Sequence, residues 1–567
     1  MLRFLIPIAV AWSVSPAWGE KPARVPGFES TPCSSFDLHD ENADCGFVVV
    51  AENREDPRGR NLRLAVAVLK SRSADPEPDR VIRLHGGPGG SAISGASAWR
   101  DHPLRDDRDL ILLDQRAAGY SEPETCPQLM RDDMRILARD LSAEEATAER
   151  VALSLACRDA LLDNGVDLAS YNSDASAADI ADLRRVLGYE EWNLYGTSYG
   201  TKLALTALRN SSEGIRSVVL DSAYPPGVRA FDHRTLNFVR ALQAVFEACA
   251  SDAACRAAYP EPEETLFATL EELGARPLTV PVDGDGPLSI DGFTINPQDL
   301  LFATHLMLFQ RSAIALVPFT LEAMRTRNEE ALRGLVDTFG EQVAGLIDRG
   351  TYHLVECYER GPCGSREGYE ALTAGHPRMR DAFTYYRVDQ EVCGAWSEDH
   401  AGLEEALPVK SDIPALILAG DFDPMTPPEW GVRAARTLHN SYFLQFPGMA
   451  HAVSISHPCP EAITVAFIRD PTREPDASCV DEMGPIAFVT DLHVNSGVYR
   501  LAKALLVDRD IGAAIAFAAV TLALITGAFR SSLAALIGWL TGRRERQRPG
   551  GTGARRHWAK GARSRRR

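Results

Sequence analysis

Residues 81–90 read VIRLHGGPGG, a short apolar strand that runs directly into a glycine-rich turn. A second junction of this kind is found at residues 192–200, WNLYGTSYG, where a Gly-x-Ser-x-Gly turn follows a strand and precedes a helix. Two later strands are followed by acids and by a histidine, in residues 415–427, ALILAGDFDPMTP, and residues 441–451, SYFLQFPGMAH. These junctions predict the parts of a serine hydrolase: backbone N–H groups for an oxyanion, a nucleophile, an acid and a base.

The order of these groups along the chain predicts the fold. Ser before Asp before His is the order of the α/β-hydrolases, and it differs from that of chymotrypsin-like and subtilisin-like enzymes. Residues 20–45 are Pro-rich and are predicted to be irregular. Beyond them, apolar strands alternate with helical patterns, which predicts a parallel sheet covered on both faces. The predicted strands occupy residues 46–50, 62–68, 81–84, 109–114, 192–195, 217–220, 415–419 and 441–444.

A helical stretch between residues 230 and 401 interrupts this alternation. Its predicted helices cover residues 237–250, 263–273, 297–308 and 329–348. The apolar run 300–319 is predicted to be a cap helix, because His305, Gln310 and Arg311 make a membrane span the weaker interpretation. We therefore predict a helical cap over the active site at 230–401, inserted between two halves of an α/β-hydrolase core at 45–229 and 402–509.

Ser198 is the predicted nucleophile, because a Gly-x-Ser-x-Gly turn between a strand and a helix lifts the serine hydroxyl to the N-terminus of that helix. A turn made simply of small residues is the alternative interpretation of this motif. The N–H of Gly86 or Gly87, together with that of Tyr199, is predicted to form the oxyanion hole. No Gly-Lys-Ser/Thr follows the first glycine turn, so a phosphate-binding loop is disfavoured. His85 is predicted to be a structural hydrogen-bonding residue rather than a base.

Three aspartates and two histidines compete for the remaining roles. Asp423 is preferred as the acid, because the following Pro-Met-Thr-Pro would hold it in a fixed turn. Asp421 and Asp221 are the alternatives, the latter at the end of the strand after the nucleophile. His451 is preferred as the base over His457, because it lies in the loop after the last strand. This chemistry needs no metal and no organic cofactor.

Both ends of the chain carry targeting signals. Residues 1–19 predict a signal peptide, with a retained N-terminal anchor as the alternative. Residues 511–529 carry no charge and are long enough for a transmembrane helix, although a buried core helix is possible. The tail, 530–567, holds twelve Lys or Arg against one acid in a chain of net charge −18. This positive-inside pattern predicts an exported protein of the bacterial cell envelope, with the tail in the cytoplasm. Anionic lipid rather than nucleic acid is the predicted partner of the tail.

Eleven cysteines suit an exported protein, because disulfides persist outside the cytoplasm. A zinc site is disfavoured, because the chain has no Cys-x-x-Cys pair. Cys357 could pair with Cys363 or with Cys393, and one thiol must remain unpaired. The other plausible local bridges are Cys33–Cys45, Cys126–Cys157, Cys249–Cys255 and Cys459–Cys479.

Several motifs together resemble one family, the secreted tripeptidyl aminopeptidases, which are relatives of the proline iminopeptidases. The matching segments are residues 85–91, 114–126, 196–201, 218–221, 357–359, 393–396 and 423–427. The resemblance covers about residues 45–480 and implies an α/β-hydrolase peptidase with Ser198, Asp423 and His451 as its triad. The chain departs from the family at residues 117–119, which are Ala-Ala-Gly where Gly-Thr-Gly is usual, and at Ala450, where glycine is usual.

The resemblance implies removal of single residues or short peptides from free N-termini. Such an enzyme must recognise a charged amine, and Glu359, in Cys357-Tyr358-Glu359, is the predicted acidic partner in the cap or pocket wall. A solvated surface glutamate is the alternative. Two other functions remain open: a carboxylester hydrolase with the same catalytic residues, and a non-catalytic envelope binding protein with a relict site.

Overall fold

A computed structural model describes residues 25–490, apart from residues 41, 57, 283–288, 330, 334–335, 337–346 and 360–365. The predicted signal peptide 1–19, transmembrane helix 511–529 and basic tail 530–567 lie outside the described residues, as does most of the predicted helix 329–348. Within the part of the chain that is described, no helix is both long and apolar enough to cross a membrane.

The described residues contain eleven strands, most of them in one mixed sheet. They are β1 (Gly27–Thr31), β2 (Ala43–Ala51), β3 (Asn61–Leu69), β4 (Arg80–Leu84), β5 (Leu110–Leu113), β6 (Trp192–Thr197), β7 (Ile215–Asp221), β8 (Leu278–Pro281), β9 (Gly292–Ile295), β10 (Ala415–Gly420) and β11 (Ser441–Phe446). Nine of them are ordered β1-β2-β3-β5-β4-β6-β7-β10-β11. The first three and β5 pair antiparallel, and from β5 onward the pairing is parallel.

Helices cover both faces of this sheet and form the insertion. They are α1 (Leu129–Leu137), α2 (Ala143–Asp163), α3 (Ser173–Leu187), α4 (Tyr199–Asn210), α5 (Ala230–Ser251), α6 (Ala253–Ala258), α7 (Pro262–Ala275), α8 (Pro297–Met307), α9 (Arg311–Ile314), α10 (Val317–Arg325), α11 (Arg349–Glu359), α12 (Arg366–Leu372), α13 (Pro377–Ala382), α14 (Arg387–Trp396), α15 (Pro428–Ala435) and α16 (Pro458–Arg469). Short 3-10 helices lie at Cys33–Phe36, Ala96–Trp99, Pro103–Asp106, Leu168–Ser170, Leu403–Ala406, Val453–Ile455 and Ser478–Val480.

The alternation of side chains along each strand produces two cores. Ile82 and Ile417 face a core that contains Leu203 of α4. Their neighbours Val81 and Leu416 face the opposite core, which includes side chains of α16. Since both faces are covered, the central strands are apolar at nearly every position, as parallel strands require. The predicted α/β-hydrolase sheet is therefore confirmed.

The insertion between β7 and β10 has a core of its own, formed by α5, α7, α8 and α10 together with part of α1. This core also contains Phe422 and Ala450, which flank the predicted acid and base. The insertion therefore packs directly on the loops that carry Asp423 and His451. We call the described residues of 230–325, which include α5 to α10 together with β8 and β9, the cap. In contrast, α11 and α14 pack into the sheet core through Leu354 and Val392.

Five disulfides link the described cysteines: Cys33–Cys45, Cys126–Cys157, Cys249–Cys255, Cys357–Cys393 and Cys459–Cys479. Four of them are the predicted local bridges. The fifth settles the choice for Cys357, because the bond joins α11 to α14. Cys363 lies outside the described residues.

The structure differs from the sequence predictions at two places. Residues 20–45 were predicted to be irregular, yet β1 lies there and pairs antiparallel with β2. The cap was predicted to be helical, yet β8 and β9 form a two-stranded sheet inside it. Both cases involve strands of four or five residues, too short to show a clear alternating pattern.

Candidate active site

Ser198 occupies a strained turn between β6 and α4. Its backbone has φ 57° and ψ −125°, a conformation that L-residues rarely adopt. The flanking glycines make the turn possible: a Cβ at Gly196 would lie 2.4 Å from Gly200 O, and one at Gly200 would lie 2.1 Å from Leu84 O. The Ser198 N–H donates to Asp221 O at 3.0 Å. The strain is thus held in place by close packing and by a strand-end hydrogen bond.

The first glycine turn lies against Ser198. A Cβ at Gly86 would lie 2.8 Å from the Ser198 Cβ, so only glycine fits there. Gly87 has φ 121°, a value that also favours glycine. Tyr199 is the first residue of α4, so its N–H has no acceptor within the helix. All three residues predicted for the oxyanion hole therefore lie close to the Ser198 turn.

The Asp114-Gln115-Arg116 segment forms hydrogen bonds to the first glycine turn, residues 85–91. Asp114 accepts hydrogen bonds from Ser91 Oγ at 2.8 Å and from the Ile93 N–H at 3.1 Å. Gln115 Nε2 donates to His85 O at 2.9 Å. Arg116, fully buried, forms two 2.7 Å hydrogen bonds to the Asp179 carboxylate. Asp114 and Gln115 therefore hold the glycine turn and the residues after it, whereas Arg116 ties the motif to α3.

Next to this motif, Ala117 departs from the family pattern. It adopts φ 65°, in the left-handed region that favours glycine. Ala450, the other departure, is 2% exposed and its methyl group packs in the cap core.

Asp423 and His451 form a hydrogen-bonded pair, with Asp423 Oδ2 lying 2.7 Å from His451 Nδ1. The other Asp423 oxygen accepts the N–H groups of Met425 and Thr426, both at 2.8 Å. The Thr426 hydroxyl donates to Asp423 Oδ2 at 2.7 Å. The predicted fixed turn after Asp423 thus supplies three donors that orient its carboxylate toward the histidine.

The charges of Asp423 and His451 shift each other's pKa in opposite directions. Burial lowers the pKa of His451, but the Asp423 carboxylate and its hydrogen bond outweigh burial and hold that pKa above its usual 6.5. Burial raises the pKa of Asp423, but the charge of His451 and the surrounding donors bring it below its usual 3.8. Asp423 is therefore ionised at neutral pH, and it favours the protonated imidazole that forms during general-base catalysis.

Among the described residues, the alternative acids and bases form hydrogen bonds to groups other than the His451 imidazole. The Asp421 carboxylate accepts a hydrogen bond from Gln445 at 2.6 Å. Asp221 accepts from the backbone of the loop that follows His451 rather than from the imidazole. His457 caps α16 by accepting the Cys459 N–H at 3.2 Å. His85 Nδ1 lies 3.2 Å from Gly86 O, and burial lowers its pKa to about 4.

The cap places aromatic side chains over His451. The Phe309 ring lies edge-on to the imidazole with the ring centres 5.3 Å apart. Next to Phe309, Nε2 of His305 in α8 forms a 2.8 Å hydrogen bond with the Tyr386 hydroxyl. Burial lowers the pKa of His305 to about 3, so its ring is neutral. From the sequence, His305 was expected only to interrupt the apolar run 300–319.

The cap is also joined to the His451 loop by a cation. Arg311 donates to Gly448 O at 2.7 Å through one guanidinium nitrogen and to Gly484 O at 2.9 Å through another. Gly448 has φ 65°, and a Cβ there would lie 2.6 Å from Arg311. Arg311 therefore links the loop before His451 to the segment that contains Gly484.

Glu359 is not the solvated glutamate of the alternative prediction. Its carboxylate is buried, pairs with Lys202 of α4, and accepts the Ser173 N–H at 2.6 Å. Glu356, one helical turn earlier on α11, lines the same small cavity and is 3% exposed. Burial raises the pKa of Glu356. Sequence reasoning missed Glu356, although its i, i+3 spacing to Glu359 puts both on one helix face.

The cavity beside these acids is about 20 Å³, with room for one water-sized group. It is lined by Glu356, Glu359 and Glu405 around Lys202. Burial and the neighbouring carboxylates raise the pKa of Glu405 to about 8. Lys202 lies one turn after the Ser198 position on α4, about 6 Å along the helix axis.

Residues 79–458 match the family model of the alpha/beta hydrolase fold. The chain belongs to this family. It is 24% identical to the serine protease Hip1 of Mycobacterium tuberculosis over 486 residues, which are 79% of this chain and 90% of that protein. It is 26% identical to the tripeptidyl aminopeptidase of Streptomyces coelicolor over 192 residues, 32% of this chain and 35% of the relative.

These relatives confirm the resemblance to α/β-hydrolase serine peptidases, and the chain is a serine hydrolase. Among solved structures, the proline iminopeptidase of Mycobacterium smegmatis is 16% identical, with a TM-score of 0.32 over 72% of this chain and 96% of that one. An esterase from Thermogutta terrifontis is 17% identical, with a TM-score of 0.33 over 75% of this chain and 99% of that one.

Proposed function

We propose that this serine hydrolase is an exported peptidase that removes residues or short peptides from free N-termini, with Ser198, His451 and Asp423 as its triad. The observation that carries the proposal is the 2.7 Å bond between Asp423 and His451, on the loops beside the strained Ser198 turn. In the α/β-hydrolases these strand ends carry the nucleophile, acid and base.

In this mechanism His451 takes the Ser198 proton as the hydroxyl attacks the scissile carbonyl. Asp423 accepts the Nδ1–H of His451, so Nε2 is the nitrogen left to act as the base. The protonated His451 then gives its proton to the leaving amine. The resulting acyl-enzyme is hydrolysed by water, which His451 activates in the same way.

The negative charge that develops on the carbonyl oxygen needs donors close to Ser198. The N–H of Tyr199 lies at the positive end of α4, and the N–H of Gly86 or Gly87 comes from the facing turn. Loss of one such donor costs about 2.7–4 kcal/mol of transition-state stabilisation in a serine protease.

A peptide substrate is supported by the relatives, one named a serine protease and the other a tripeptidyl aminopeptidase. A free N-terminus brings an ammonium group, which must meet a negative partner when it is desolvated. Three carboxyl groups and one ammonium group line the cavity next to α4. Burial raises the pKa of Glu356 and of Glu405, and a substrate ammonium bound beside them would favour their ionised forms. We assign this cavity to the substrate amine.

Within the cavity, Glu356 suits the amine better than the predicted Glu359. Glu359 is already paired with Lys202, and its other oxygen holds the Ser173 N–H. Glu356 is equally buried, and no ion pair among the described residues includes it. In this arrangement Glu359 neutralises the charge of Lys202, next to the amine bound by Glu356.

The test compares a peptide with its N-acetylated form. The proposal predicts that acetylation lowers kcat/KM about 100-fold, a loss of about 2.7 kcal/mol, which lies at the upper end of the range for one hydrogen bond to a charged group. Products are identified by mass, so that N-terminal removal is seen directly. Equal cleavage of free and acetylated peptides would instead identify an endopeptidase or an esterase.

Two substitutions locate the amine site. Glu356→Gln is expected to reproduce most of the acetylation effect on the free peptide and to change cleavage of the acetylated peptide little. Glu359→Gln is expected to do the same with an added loss of stability, because it leaves Lys202 unpaired. If neither substitution distinguishes the two peptides, the amine is bound elsewhere.

Export is supported by the five disulfides, which are typical of proteins outside the cytoplasm. Anchoring through residues 511–529, with the basic tail 530–567 in the cytoplasm, is proposed from the sequence alone. This topology would keep the catalytic part outside the cytoplasmic membrane of a bacterial cell envelope.

A further inference from the structure

Asp221 bonds to both the nucleophile turn and the histidine loop. It ends β7, and its main-chain carbonyl accepts the Ser198 N–H at 3.0 Å. Its carboxylate accepts the Val453 N–H at 2.9 Å through Oδ1 and the Ser454 N–H at 3.0 Å through Oδ2. The Ser454 hydroxyl also donates to Oδ2. One residue thus joins two loops that are more than 250 residues apart in sequence.

The neighbouring residue strengthens the same connection. Ser222 Oγ accepts the Ala452 N–H at 2.8 Å, directly after His451. Ser222 is itself fixed to the sheet, because its N–H donates to Leu418 O of β10 at 2.9 Å. Ala452 has φ 59°, a left-handed conformation that is unfavourable for a non-glycine residue. The hydrogen bonds from β7 hold the loop in that conformation.

The chemistry of the contact requires a carboxylate. Asp221 and Ser222 are fully buried, and Ser454 is 1% exposed. Every group that bonds the Asp221 side chain from the loop is an N–H or O–H donor. A carboxylate offers only acceptors, whereas a carboxamide would turn an NH₂ group toward these donors. The Ser454 hydroxyl, 2.5 Å from Tyr195 OH, continues the network to β6.

We infer that Asp221 is a positioning residue: it ties the His451 loop to the Ser198 turn and so sets the placement of the base relative to the nucleophile. This inference rests on the proposed triad, in which Asp423 orients the imidazole. Asp221 itself touches neither the reacting atoms nor the His451 ring in the hydrogen bonds of the described residues. It acts through the backbone of residues 452–454.

Asp221 also acts on His451 through its charge. The charged groups that raise the His451 pKa are Asp423, which bonds it, and Asp221 behind it. His305 faces the site from the cap and is neutral, because burial lowers its pKa to about 3. Burial raises the pKa of Asp221, whereas its Ser454 and Val453 donors and the charge of His451 lower it. Asp221 also faces Arg83 and Tyr195. Wherever Asp221 is ionised, removal of its charge lowers the His451 pKa, an effect that a purely structural residue would not have.

The experiment measures the rate at which a fluorophosphonate labels Ser198 across pH, in wild type and in Asp221→Asn. The full-length protein is used throughout. We expect a rate about 10- to 100-fold below wild type, because small misplacements of catalytic groups cost this much. We also expect the midpoint of the acidic limb to move to lower pH. Asp423→Asn, run in parallel, should be far slower than Asp221→Asn.

Asp79→Asn is the matched control. Asp79 is 4% exposed and accepts from Arg108 and Asn193, but it lies before β4, at the opposite end of the sheet from the site. Its loss should lower the melting temperature without moving the pH profile. Ser454→Ala is the second variant if Asp221→Asn does not fold, and it should label several-fold more slowly than wild type.

Wild-type rates and an unmoved acidic limb in Asp221→Asn would overturn the inference, as would wild-type labelling by Ser454→Ala if Asp221→Asn does not fold. A loss in Asp221→Asn as large as that in Asp423→Asn would also overturn it, since Asp221 would then be a member of the triad. Near-normal labelling of Asp423→Asn would instead contradict the proposed acid, so the two failures are distinguishable.

Discussion

At the scale of single residues, Asp421 and Asp423 lie two positions apart on one loop and differ in what they bond. Asp423 pairs with His451, whereas Asp421 accepts from Gln445. Asp423→Asn is therefore expected to lower kcat by about 10⁴-fold, because the carboxamide favours the wrong imidazole tautomer. Asp421→Asn should stay within a few-fold of wild type. Steady-state rates on one peptide substrate measure both.

A similar loss in both variants would indicate that the whole loop is disturbed. Thermal melting curves of the two proteins serve as the control for this outcome. A larger loss in Asp421→Asn than in Asp423→Asn would contradict the assigned acid.

The acid–base pair also predicts a pH dependence. The Asp423 carboxylate raises the His451 pKa above its usual 6.5, and the protonated imidazole cannot act as a base. Activity is therefore lost as the pH falls through the raised pKa and is fully present above it. A profile of kcat/KM should have its acidic midpoint above 6.5. A midpoint well below 6.5 would mean that Asp423 is not ionised beside the histidine.

At the scale of elements, the strand-to-turn junctions were predictable because their signals are local. An apolar strand followed by Gly-x-Ser-x-Gly specifies both the turn and the helix that begins at Tyr199. The Pro-Met-Thr-Pro after Asp423 likewise predicted a fixed turn, and that turn supplies three donors to the carboxylate.

The contacts that sequence did not predict join residues that are distant in the chain. Glu359 pairs with Lys202 across 157 positions, and no local pattern indicates such a partner. The same holds for Phe309 over His451 and for Asp221 at the 453–454 backbone. Short strands were missed for a different reason, because β1 and β8 show too few residues for an alternating pattern.

The disulfide between α11 and α14 predicts a difference in stability. Cys357–Cys393 closes a loop with a sequence separation of 36, against 6 for Cys249–Cys255. Loop entropy then predicts that replacing both cysteines by serine costs about 4 kcal/mol for the first pair and about 2 kcal/mol for the second. Urea unfolding curves measure this difference. Equal losses would show that strain or residual structure, rather than loop length, determines the effect.

At the scale of the whole molecule, the proposed topology separates an acidic catalytic part from a basic tail. A shortened chain that ends at Asp508 should be soluble and active, whereas the full chain should remain with the membrane fraction. Centrifugation followed by a fluorophosphonate label on both fractions tests this. The expected distribution places all label from the shortened chain in the supernatant.

The orientation can be measured in the same cells. An impermeant amine reagent should modify the catalytic part from outside and leave the tail unmodified until the membrane is opened. Labelling of the catalytic part only after lysis would contradict export, and the five disulfides would then need another explanation.

In the proposed triad, Ser198 is a nucleophile activated by His451 and Asp423. The most direct measurement treats the full-length protein with a fluorophosphonate, digests it and identifies the modified residue by mass. We expect one modified residue, Ser198, and no labelling of a folded Ser198→Ala variant, since loss of a triad nucleophile lowers kcat by about 10⁶-fold. Modification of a different serine, or undiminished labelling of Ser198→Ala, would contradict it.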